Sequence, residues 1–141
     1  MDLASALDFI RPRNQGVVVA LKADGRPQLS NIAYALGDDG LVRISVTDSR
    51  AKVRNARRDP RVSLYVGAPD FGSYVVVEGD ADLSPVADDV DDATVAELVD
   101  LYRSVVGEHP DWDDYRAAMV ADHRMVLRLR PTRAYGMAPS A

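Results

Sequence analysis

The sequence contains no cysteine, which excludes disulfides, thiol nucleophiles and cysteine-based metal sites. It has only two histidines, His109 and His123, and neither has a second histidine four residues away, so a zinc-binding motif is missing. No apolar run approaches the roughly 20 residues that a membrane span requires. The first residues lack the basic start and long apolar stretch of a signal peptide. We therefore expect a cytoplasmic protein with no membrane partner and no metal site.

Motifs of several common enzyme mechanisms are missing as well. The sequence has no nucleophile elbow, no phosphate-binding P-loop and no glycine-rich dinucleotide fingerprint. Acidic pairs such as Asp88-Asp89 and Asp113-Asp114 are typical of helix starts and solvated faces. No catalytic residue can be assigned on this basis, and any catalysis is expected to use the chemistry of a bound cofactor.

Positive charge is concentrated in one short segment of an acidic chain. The net charge is -5, yet six basic residues lie between Thr47 and Arg61: Arg50, Lys52, Arg54, Arg57, Arg58 and Arg61. A nucleic-acid partner is not expected, because the pI is about 4.9 and the aromatic content of 6% leaves few stacking side chains. Two interpretations remain: a solvated basic helix face, and a socket for a small anion.

Apolar periodicity divides the chain into helices and strands. Helices are predicted for Leu3–Ile10, 50–58, Asp91–Val106 and Asp111–Asp122. Strands are predicted for Gly16–Leu21, Gln28–Leu36, Leu41–Val46, Arg61–Ala68, Ser73–Leu83, Arg124–Arg130 and, as a short addition, Thr132–Met137.

The length of 141 residues predicts a single domain over residues 1–141. Turns at Lys22–Pro27 and Gly37–Gly40 would join the first three strands into an antiparallel meander, and Gly79 is a candidate β-bulge. One crossover helix in the middle and a helical pair before the last strand complete the pattern. Such a pattern is typical of a mainly β protein, a small antiparallel barrel with helical insertions.

The basic helix is the strongest candidate for a binding site. Three polar residues are candidates for its N-cap: Thr47, Asp48 and Ser49. Its first turn would leave backbone N–H groups unpaired, and a cation placed there is unfavourable by about 0.3–1 kcal/mol. An anion bound between those N–H groups and the side chains of Arg50, Lys52 and Arg54 would reverse this effect. A solvated helix face explains the same residues equally well.

Four segments carry a resemblance to a known family. They are "GVVVALKADGRPQLSNIAYAL" (16–36), "LVRISVTDSRAKVRNARRDPRVSLYV" (41–66), "YVVVEGDADL" (74–83) and "VLRLRPTRAYGM" (126–137). In this order they resemble the pyridoxamine-phosphate-oxidase-like split β-barrel superfamily, most specifically in "DGRPQLSN" and "SRAKVRNARRDPRVSL". Within it, the sequence is similar to the small coenzyme F420-dependent oxidoreductases common in actinobacteria. The arginine-rich, lysine-poor composition fits such a source.

The resemblance implies a dimeric split antiparallel β-barrel of the FMN-binding-like type, with two cofactor sites at the dimer interface. It implies that the cofactor phosphate is held by Thr47, Arg50, Lys52 and by Arg54 or Asn55. It implies a cofactor ring near Gln28, Ser30, Asn31, Ser45 and Val46. The partner subunit would contribute residues around Phe71, Ser73 and Tyr74.

The implied function is transfer of a hydride from reduced deazaflavin to a small electron-poor substrate such as an enone or quinone. An FMN-dependent oxidoreductase of the same fold needs the same basic socket and is an alternative, as is a non-catalytic flavin- or deazaflavin-binding protein. Four tyrosines are possible proton donors, although each is more typical of packing: Tyr34, Tyr65, Tyr74 and Tyr135. Pyridoxal chemistry is not expected, because the C-terminal substrate motif of pyridoxamine-phosphate oxidases is not found in this sequence.

Overall fold

Seven antiparallel strands and four helices make up residues 1–138, the part of the chain that the computed structural model describes. The helices are α1 (Leu3–Ile10), α2 (Ala51–Arg58), α3 (Ala93–Val105) and α4 (Trp112–Ala121). The strands are β1 (Gln15–Leu21), β2 (Pro27–Ala33), β3 (Ala35–Leu36), β4 (Val42–Thr47), β5 (Arg61–Gly67), β6 (Tyr74–Leu83) and β7 (Arg124–Met137). The last three residues of the predicted domain, 139–141, lie outside the described residues.

The second predicted strand is divided into β2 and β3 by a single residue, Tyr34. The prediction of one continuous strand over Gln28–Leu36 is therefore wrong. The side chain of Tyr34 is fully buried, and its hydroxyl donates to the carbonyl of Ile10 over 2.7 Å. Its backbone N–H donates to the carbonyl of Asn14 rather than to a neighbouring strand. The chain turns at this residue because the tyrosine is anchored in the core.

The order of strands in the sheet is β2-β1-β5-β6-β7-β4-β3. β2 and β3 thus lie at opposite ends of this order, although only one residue separates them in sequence. The sheet must curl until its ends meet, which produces a barrel that is split between β2 and β4. This architecture confirms the predicted mainly β, split antiparallel barrel. The predicted meander is present as two hairpins, β1–β2 and β3–β4, separated by the break at Tyr34.

Alternate side chains of the strands fill the interior of the barrel. Among the fully buried members are Val18, Val42, Ile44, Val46, Leu64, Val66, Val75, Val77, Leu127 and Leu129. Helix α1 adds Ala6 and Ile10 to this core, and α2 adds Val53 and Ala56. The position of α2 is therefore fixed by its apolar face, which leaves its basic face available for other contacts.

The last strand, β7, is longer than predicted. It runs over fourteen residues, so the two final predicted strands are parts of one element. Its register against β6 shifts at Gly79, where Thr132 is left out of the pairing, which confirms the predicted bulge. A Cβ atom on Gly79 would collide with the backbone carbonyl of Arg130, so the close approach of the two strands explains the glycine.

Helices α3 and α4 cover part of the outer surface of the barrel. They form a second apolar cluster with β7, in which Leu98 and Met119 pack near Val126. Both helices begin within two residues of their predicted starts, where Asp92 and Asp111 accept hydrogen bonds from N–H groups of the first turn. None of the helices in residues 1–138 has the length and apolar character needed to cross a membrane.

Candidate functional site

The split of the barrel forms a cleft between β2 and β4. In the described part of the chain, β2 pairs only with β1, and β4 pairs with β3 only at Val42 and Arg43. Much of the two facing strand edges therefore carries backbone polar groups without a strand partner. Together with the start of α2, these edges enclose about 570 Å³. Small-molecule sites typically measure roughly 300–1,000 Å³, so the cleft is large enough for a cofactor-sized ligand.

Most of the residues predicted to bind a cofactor line this cleft. They are Gln28, Ser30, Asn31, Ser45, Val46, Thr47, Arg50 and Lys52. The first three lie on β2, the next three on β4 and the last two at the start of α2. Residues from three separate elements therefore converge on one cleft.

Helix α2 begins at this cleft without a capping side chain. Its N-cap is Arg50, whose side chain makes no cap hydrogen bond, so the prediction of a cap by Thr47, Asp48 or Ser49 is wrong. Thr47 belongs to β4, and the carboxylate of Asp48 accepts a hydrogen bond from Arg57 over 2.7 Å instead. The side chain best suited to neutralise the helix start is thus engaged elsewhere.

Three cations surround the open start of α2. Arg50 is the N-cap of α2, Lys52 lies in its first turn, and Arg124, from the beginning of β7, lines the same cleft. None of the three forms a salt bridge within residues 1–138. The backbone N–H groups of Ala51 and Lys52 have no acceptor in the same part of the chain. Donors and positive charge therefore meet at one end of the cleft, which is the arrangement that binds phosphate at helix N-termini.

The protonation of Lys52 reflects this crowding of positive charge. Burial lowers the pKa of its ammonium group from 10.5, and the nearby charges of Arg50 and Arg124 lower it further. The folded chain therefore holds the charged form of Lys52 at a free-energy cost. A bound anion would offset that cost, because a charge-assisted hydrogen bond favours the protonated ammonium.

Two buried polar atoms of the cleft have no hydrogen-bond partner within residues 1–138. They are Oε1 of Gln28 and Nε of Arg124. The amide nitrogen of Gln28 donates to Ser30 over 2.9 Å, so only its oxygen is left unpaired. A buried polar atom without a partner costs about 1–3 kcal/mol. A ligand that supplies both a donor and an acceptor would remove this cost.

Arg124 is a member of the site that the sequence did not reveal. Its guanidinium lies 3.5 Å from the hydroxyl of Ser45, which is 79 positions away in the chain. The only signal in the sequence is its outward position in the alternating strand "RMVLRLR". That position predicts exposure to solvent, and only the pairing of β4 with β7 turns it into a cleft position.

Two other predicted cofactor residues, Arg54 and Asn55, do not line the cleft. The guanidinium of Arg54 donates to the carbonyl of Ser49 over 2.6 Å. Asn55 is buried, and its side-chain oxygen accepts from Arg58 over 3.0 Å. Both residues therefore support the local structure of α2 in the single chain.

The predicted partner residues lie in and after the turn between β5 and β6. Phe71 adopts a left-handed backbone conformation with a φ of 63° and is 87% exposed. Ser73 and Tyr74 follow it at the start of β6. In the sheet order, β5 and β1 separate β6 from the cleft wall on β2. These residues do not reach the cleft of their own chain, and their contribution to a partner's site stays a prediction.

None of the four tyrosines considered as proton donors is among the residues that line the cleft. Tyr34 is anchored in the core as described above. The rings of Tyr65 and Tyr74 stack with their centroids 5.7 Å apart, and Tyr135 is exposed on β7. The structure therefore assigns no proton donor.

Comparison with known proteins agrees with this architecture. The family model for pyridoxamine 5'-phosphate oxidase matches residues 4–138. A conserved hypothetical protein, Rv2991 from Mycobacterium tuberculosis, superposes with a TM-score of 0.73 at 23% identity, covering 100% of this chain and 91% of the other. An F420 reductase superposes with a TM-score of 0.69 at 24% identity, covering 92% of this chain and 94% of the other. A heme-binding protein from Mycobacterium smegmatis has a TM-score of 0.66 at 22% identity, covering 94% of this chain and 52% of the other.

At these identities the superpositions establish a shared fold only. The family model, in contrast, spans nearly all of the described residues, including the strands and the helix start that form the cleft. The chain therefore belongs to the pyridoxamine 5'-phosphate oxidase family.

Proposed function

We propose that this protein is an F420-dependent oxidoreductase that reduces a small electron-poor substrate. The observation that carries the proposal is the cluster of Arg50 and Lys52 at an uncapped helix start, with no carboxylate to neutralise it in residues 1–138. Such a cluster fits one small anion. The resemblance of the sequence to F420-dependent oxidoreductases, and the presence of an F420 reductase among proteins of the same fold, indicate which anion it is.

The residues of the cleft fit the chemical groups of F420. Its phosphate would be held by Thr47, Arg50, Lys52 and the free N–H groups of α2. The polar edge of its deazaflavin ring carries N–H donors, and the unpaired oxygen of Gln28 would accept from one of them. When bound in its reduced form, F420 supplies the hydride. The protein would orient the ring along β2 and β4 and exclude water from it.

The histidines of the chain make haem a poorer fit for this cleft. His109 and His123 both lie outside the set of residues that line it. Haem iron is held by His, Cys, Met or Tyr side chains, and none of the residues that line the cleft is of these types. A cleft that has hydrogen-bond donors for a phosphate but no ligand for haem iron therefore favours a flavin-type cofactor.

We also propose that the protein is a homodimer in which the partner completes the site. Asn31 lines the cleft and is paired with Val17, which in turn is paired with Tyr65 on the outer face of the sheet. The cleft is therefore continuous with an outer face that carries Leu29, Tyr65, Val76, Tyr135 and Met137. Helices α3 and α4 do not cover this part of the sheet. A second copy on this face would bury the apolar side chains and close the cleft.

The test is a comparison of F420 and FMN binding to the same purified preparation by fluorescence titration. We expect F420 to bind with a micromolar or lower Kd and FMN to bind at least tenfold more weakly. Tighter binding of FMN, or a yellow protein with an FMN spectrum after purification, would favour an FMN-dependent enzyme. Failure of both cofactors to bind would overturn the proposal.

Catalysis is tested separately from binding. Reduced F420 is mixed with the protein and with a panel of enones, quinones and nitro compounds, and its oxidation is followed by absorbance. We expect oxidation with at least one class of acceptor. Tight binding of F420 without turnover on any acceptor would instead assign the protein a storage or shielding role.

A further inference from the structure

A second, smaller pocket opens beside the basic cleft. It encloses about 240 Å³ and lies between the two strand edges and helices α3 and α4. Ala33, Ser45 and Arg124 line both the cleft and this pocket, so the two spaces share a wall. We call it the side pocket. Of the residues predicted to bind the cofactor, only Ser45 lines this pocket.

The wall of the side pocket that belongs to α3 and α4 is apolar. It consists of Leu101, Tyr102, Val105, Val106, Tyr115 and Met119. The hydroxyl of Tyr115 donates to the carbonyl of Leu98 over 3.0 Å, so this tyrosine presents its ring rather than a free hydroxyl. An apolar wall of this kind suits a hydrocarbon group and offers few partners to a polar one.

Neighbouring aromatic rings hold this wall in place. The ring of Tyr102 lies 5.0 Å from that of Tyr115 and 5.7 Å from that of Trp112, measured between centroids. Trp112 in turn packs edge-on against Tyr115 at 5.6 Å. Since aromatic rings have few rotamers and pack tightly, the pocket is preformed rather than created by a ligand.

The size of the side pocket limits what it can hold. Sites for whole drug-sized ligands measure roughly 300–1,000 Å³, which is more than the 240 Å³ found here. The side pocket therefore accommodates one apolar group of a ligand, and the rest of that ligand must extend through the shared wall towards the cleft.

A cation stands at this shared wall. Arg124 has a buried Nε atom without a hydrogen-bond partner in residues 1–138, and in the same part of the chain its side chain makes only one hydrogen bond, a long one of 3.5 Å to Ser45. Arg50 and Lys52 line the cleft but not the side pocket. Arg124 is therefore the charged donor available to a ligand whose apolar end lies between α3 and α4.

We infer that the side pocket binds the substrate, as a flat apolar group ending in a conjugated carbonyl or carboxylate whose oxygen accepts a hydrogen bond from Arg124. The role as a substrate pocket rests on the proposed oxidoreductase function, because Ser45, a predicted neighbour of the cofactor ring, belongs to the shared wall and lies 3.5 Å from the guanidinium of Arg124. Binding of the molecule itself requires only the side pocket and Arg124, so it can be measured without cofactor.

The probe is cinnamate, compared with cinnamyl alcohol, which has the same apolar body without the charged oxygen. The chain contains four methionines, of which Met119 lines the side pocket. In protein labelled with ¹³C at the methionine methyl groups, we expect cinnamate to shift the Met119 signal in a saturable way. The signals of Met1, Met125 and Met137 should not move. The Met119 signal is assigned with the Met119→Leu variant.

Two variants test the position of the probe. Val106 is 65% exposed and lines the side pocket, so Val106→Trp should fill its mouth without disturbing the core and weaken cinnamate binding at least tenfold. Val90 is 42% exposed and lies outside the pocket, so Val90→Trp is the matched control and should bind cinnamate as the wild type does.

A third variant tests the role of Arg124. Wild-type protein should bind cinnamate more tightly than cinnamyl alcohol by about tenfold or more, as expected for one charge-assisted hydrogen bond. In Arg124→Gln this preference should fall to about twofold or less, while the alcohol binds as before. An unchanged preference for the acid would overturn the assignment of Arg124.

F420 titrations of the wild type and Val106→Trp separate this inference from the proposed function. Loss of cinnamate binding in Val106→Trp with F420 affinity unchanged supports a separate substrate pocket. The inference is overturned if the same variant loses F420 binding, or if cinnamate does not shift the Met119 signal in the wild type. Neither result changes the conclusion on F420 binding to the wild-type protein. Cinnamate binding in a protein that fails to bind F420 would support the pocket and overturn the proposed cofactor.

Discussion

At the scale of single residues, the cations of the basic segment that line the cleft differ from the others in their ion-pair contacts. Arg57 and Arg61 are paired with Asp48 and Asp59 over 2.7 Å each. Arg50 and Lys52 have no such partner within residues 1–138 and face the open start of α2. Cations without counter-ions near unpaired N–H groups are costly until an anion binds. The cations proposed to bind the cofactor are therefore those that the fold leaves without partners.

Removing one of these two cations should weaken cofactor binding. We expect Arg50→Ala and Lys52→Ala each to reduce the affinity for F420 by about 1–3 kcal/mol, the loss of one charge-assisted hydrogen bond. Arg61→Ala is the control, because Arg61 belongs to the same segment but lies on the surface, paired with Asp59. Fluorescence titration checks the three Kd values. Unchanged affinity in both cleft variants would show that the phosphate binds elsewhere.

The pH dependence of binding should report on Lys52. Its pKa in the free protein is below 10.5, and a bound phosphate favours the protonated form and raises that pKa. F420 affinity should therefore be highest below the lowered pKa and fall by about threefold to tenfold as pH rises through it.

Arginine stays charged over this range, so Lys52→Arg should remove the decline. Titrations between pH 7 and pH 10 compare the two proteins. A decline of equal size in both would assign the pH dependence to another group.

At the scale of elements, the sequence predicts helices and strands well and their local endings less well. Apolar periodicity and turn residues located every helix and the long strands, and Gly79 was identified as a bulge because strands tolerate glycine poorly. The break at Tyr34 could not be predicted, since it depends on a contact with Ile10, 24 positions away. The predicted side-chain cap of α2 is absent because Asp48 pairs with Arg57 instead.

An ion-pair network joins α3 to the barrel, and substitutions in it can test how much it stabilises the fold. The carboxylate of Glu97 accepts from Arg43 over 2.8 Å and from Arg128 over 2.6 Å, and its side chain is only 18% exposed. Glu97→Gln would leave the two guanidinium groups facing each other, so we expect it to lower the free energy of unfolding by about 1–3 kcal/mol. The control is Asp82→Asn, because Asp82 contacts Arg128 but is 74% exposed, and it should cost less than about 1 kcal/mol.

Urea denaturation measures both variants at two pH values. Hydrogen bonds from Arg128 and Arg43 hold the pKa of Glu97 below 4.5, against the opposing effect of burial. The stabilisation is therefore fully present above pH 4.5 and is lost as pH falls through the lowered pKa. The difference between wild type and Glu97→Gln should be complete at pH 7 and shrink below pH 4.5. A difference independent of pH would mean that packing, not charge, holds α3 in place.

At the scale of the whole molecule, the curvature of the sheet creates the site. The cleft exists because β2 and β3 are joined through one residue while lying at opposite ends of the strand order. Motif resemblance predicted this barrel and eight of the residues around its cleft. Apolar periodicity alone could not predict the barrel or its cleft, because it describes each strand without its neighbours. Arg124 becomes a cleft residue through strand pairing across the closed sheet. The side pocket forms where helices α3 and α4 pack against the barrel, and the sequence pattern does not predict that packing.

Dimerisation is the remaining prediction at this scale. The outer face of β1, β5, β6 and the end of β7 carries stacked Tyr65 and Tyr74 beside the half-exposed Tyr135. A stable interface buries roughly 800 Å² on each partner, mostly in a central apolar patch, and a charge in that patch is strongly unfavourable. We expect wild-type protein to have twice the 15.4 kDa mass of the chain in light scattering, and Tyr135→Glu to be monomeric.

The same variant should also lose F420 affinity by about tenfold or more, because the partner would close the cleft next to Asn31. Val90→Glu places an equal charge on a residue that lies outside this face and should leave mass and affinity unchanged. Circular dichroism confirms that both variants are folded. A monomeric wild type that binds F420 as tightly as proposed would show that one chain provides the complete site, and the residues around Phe71 would then have no part in it.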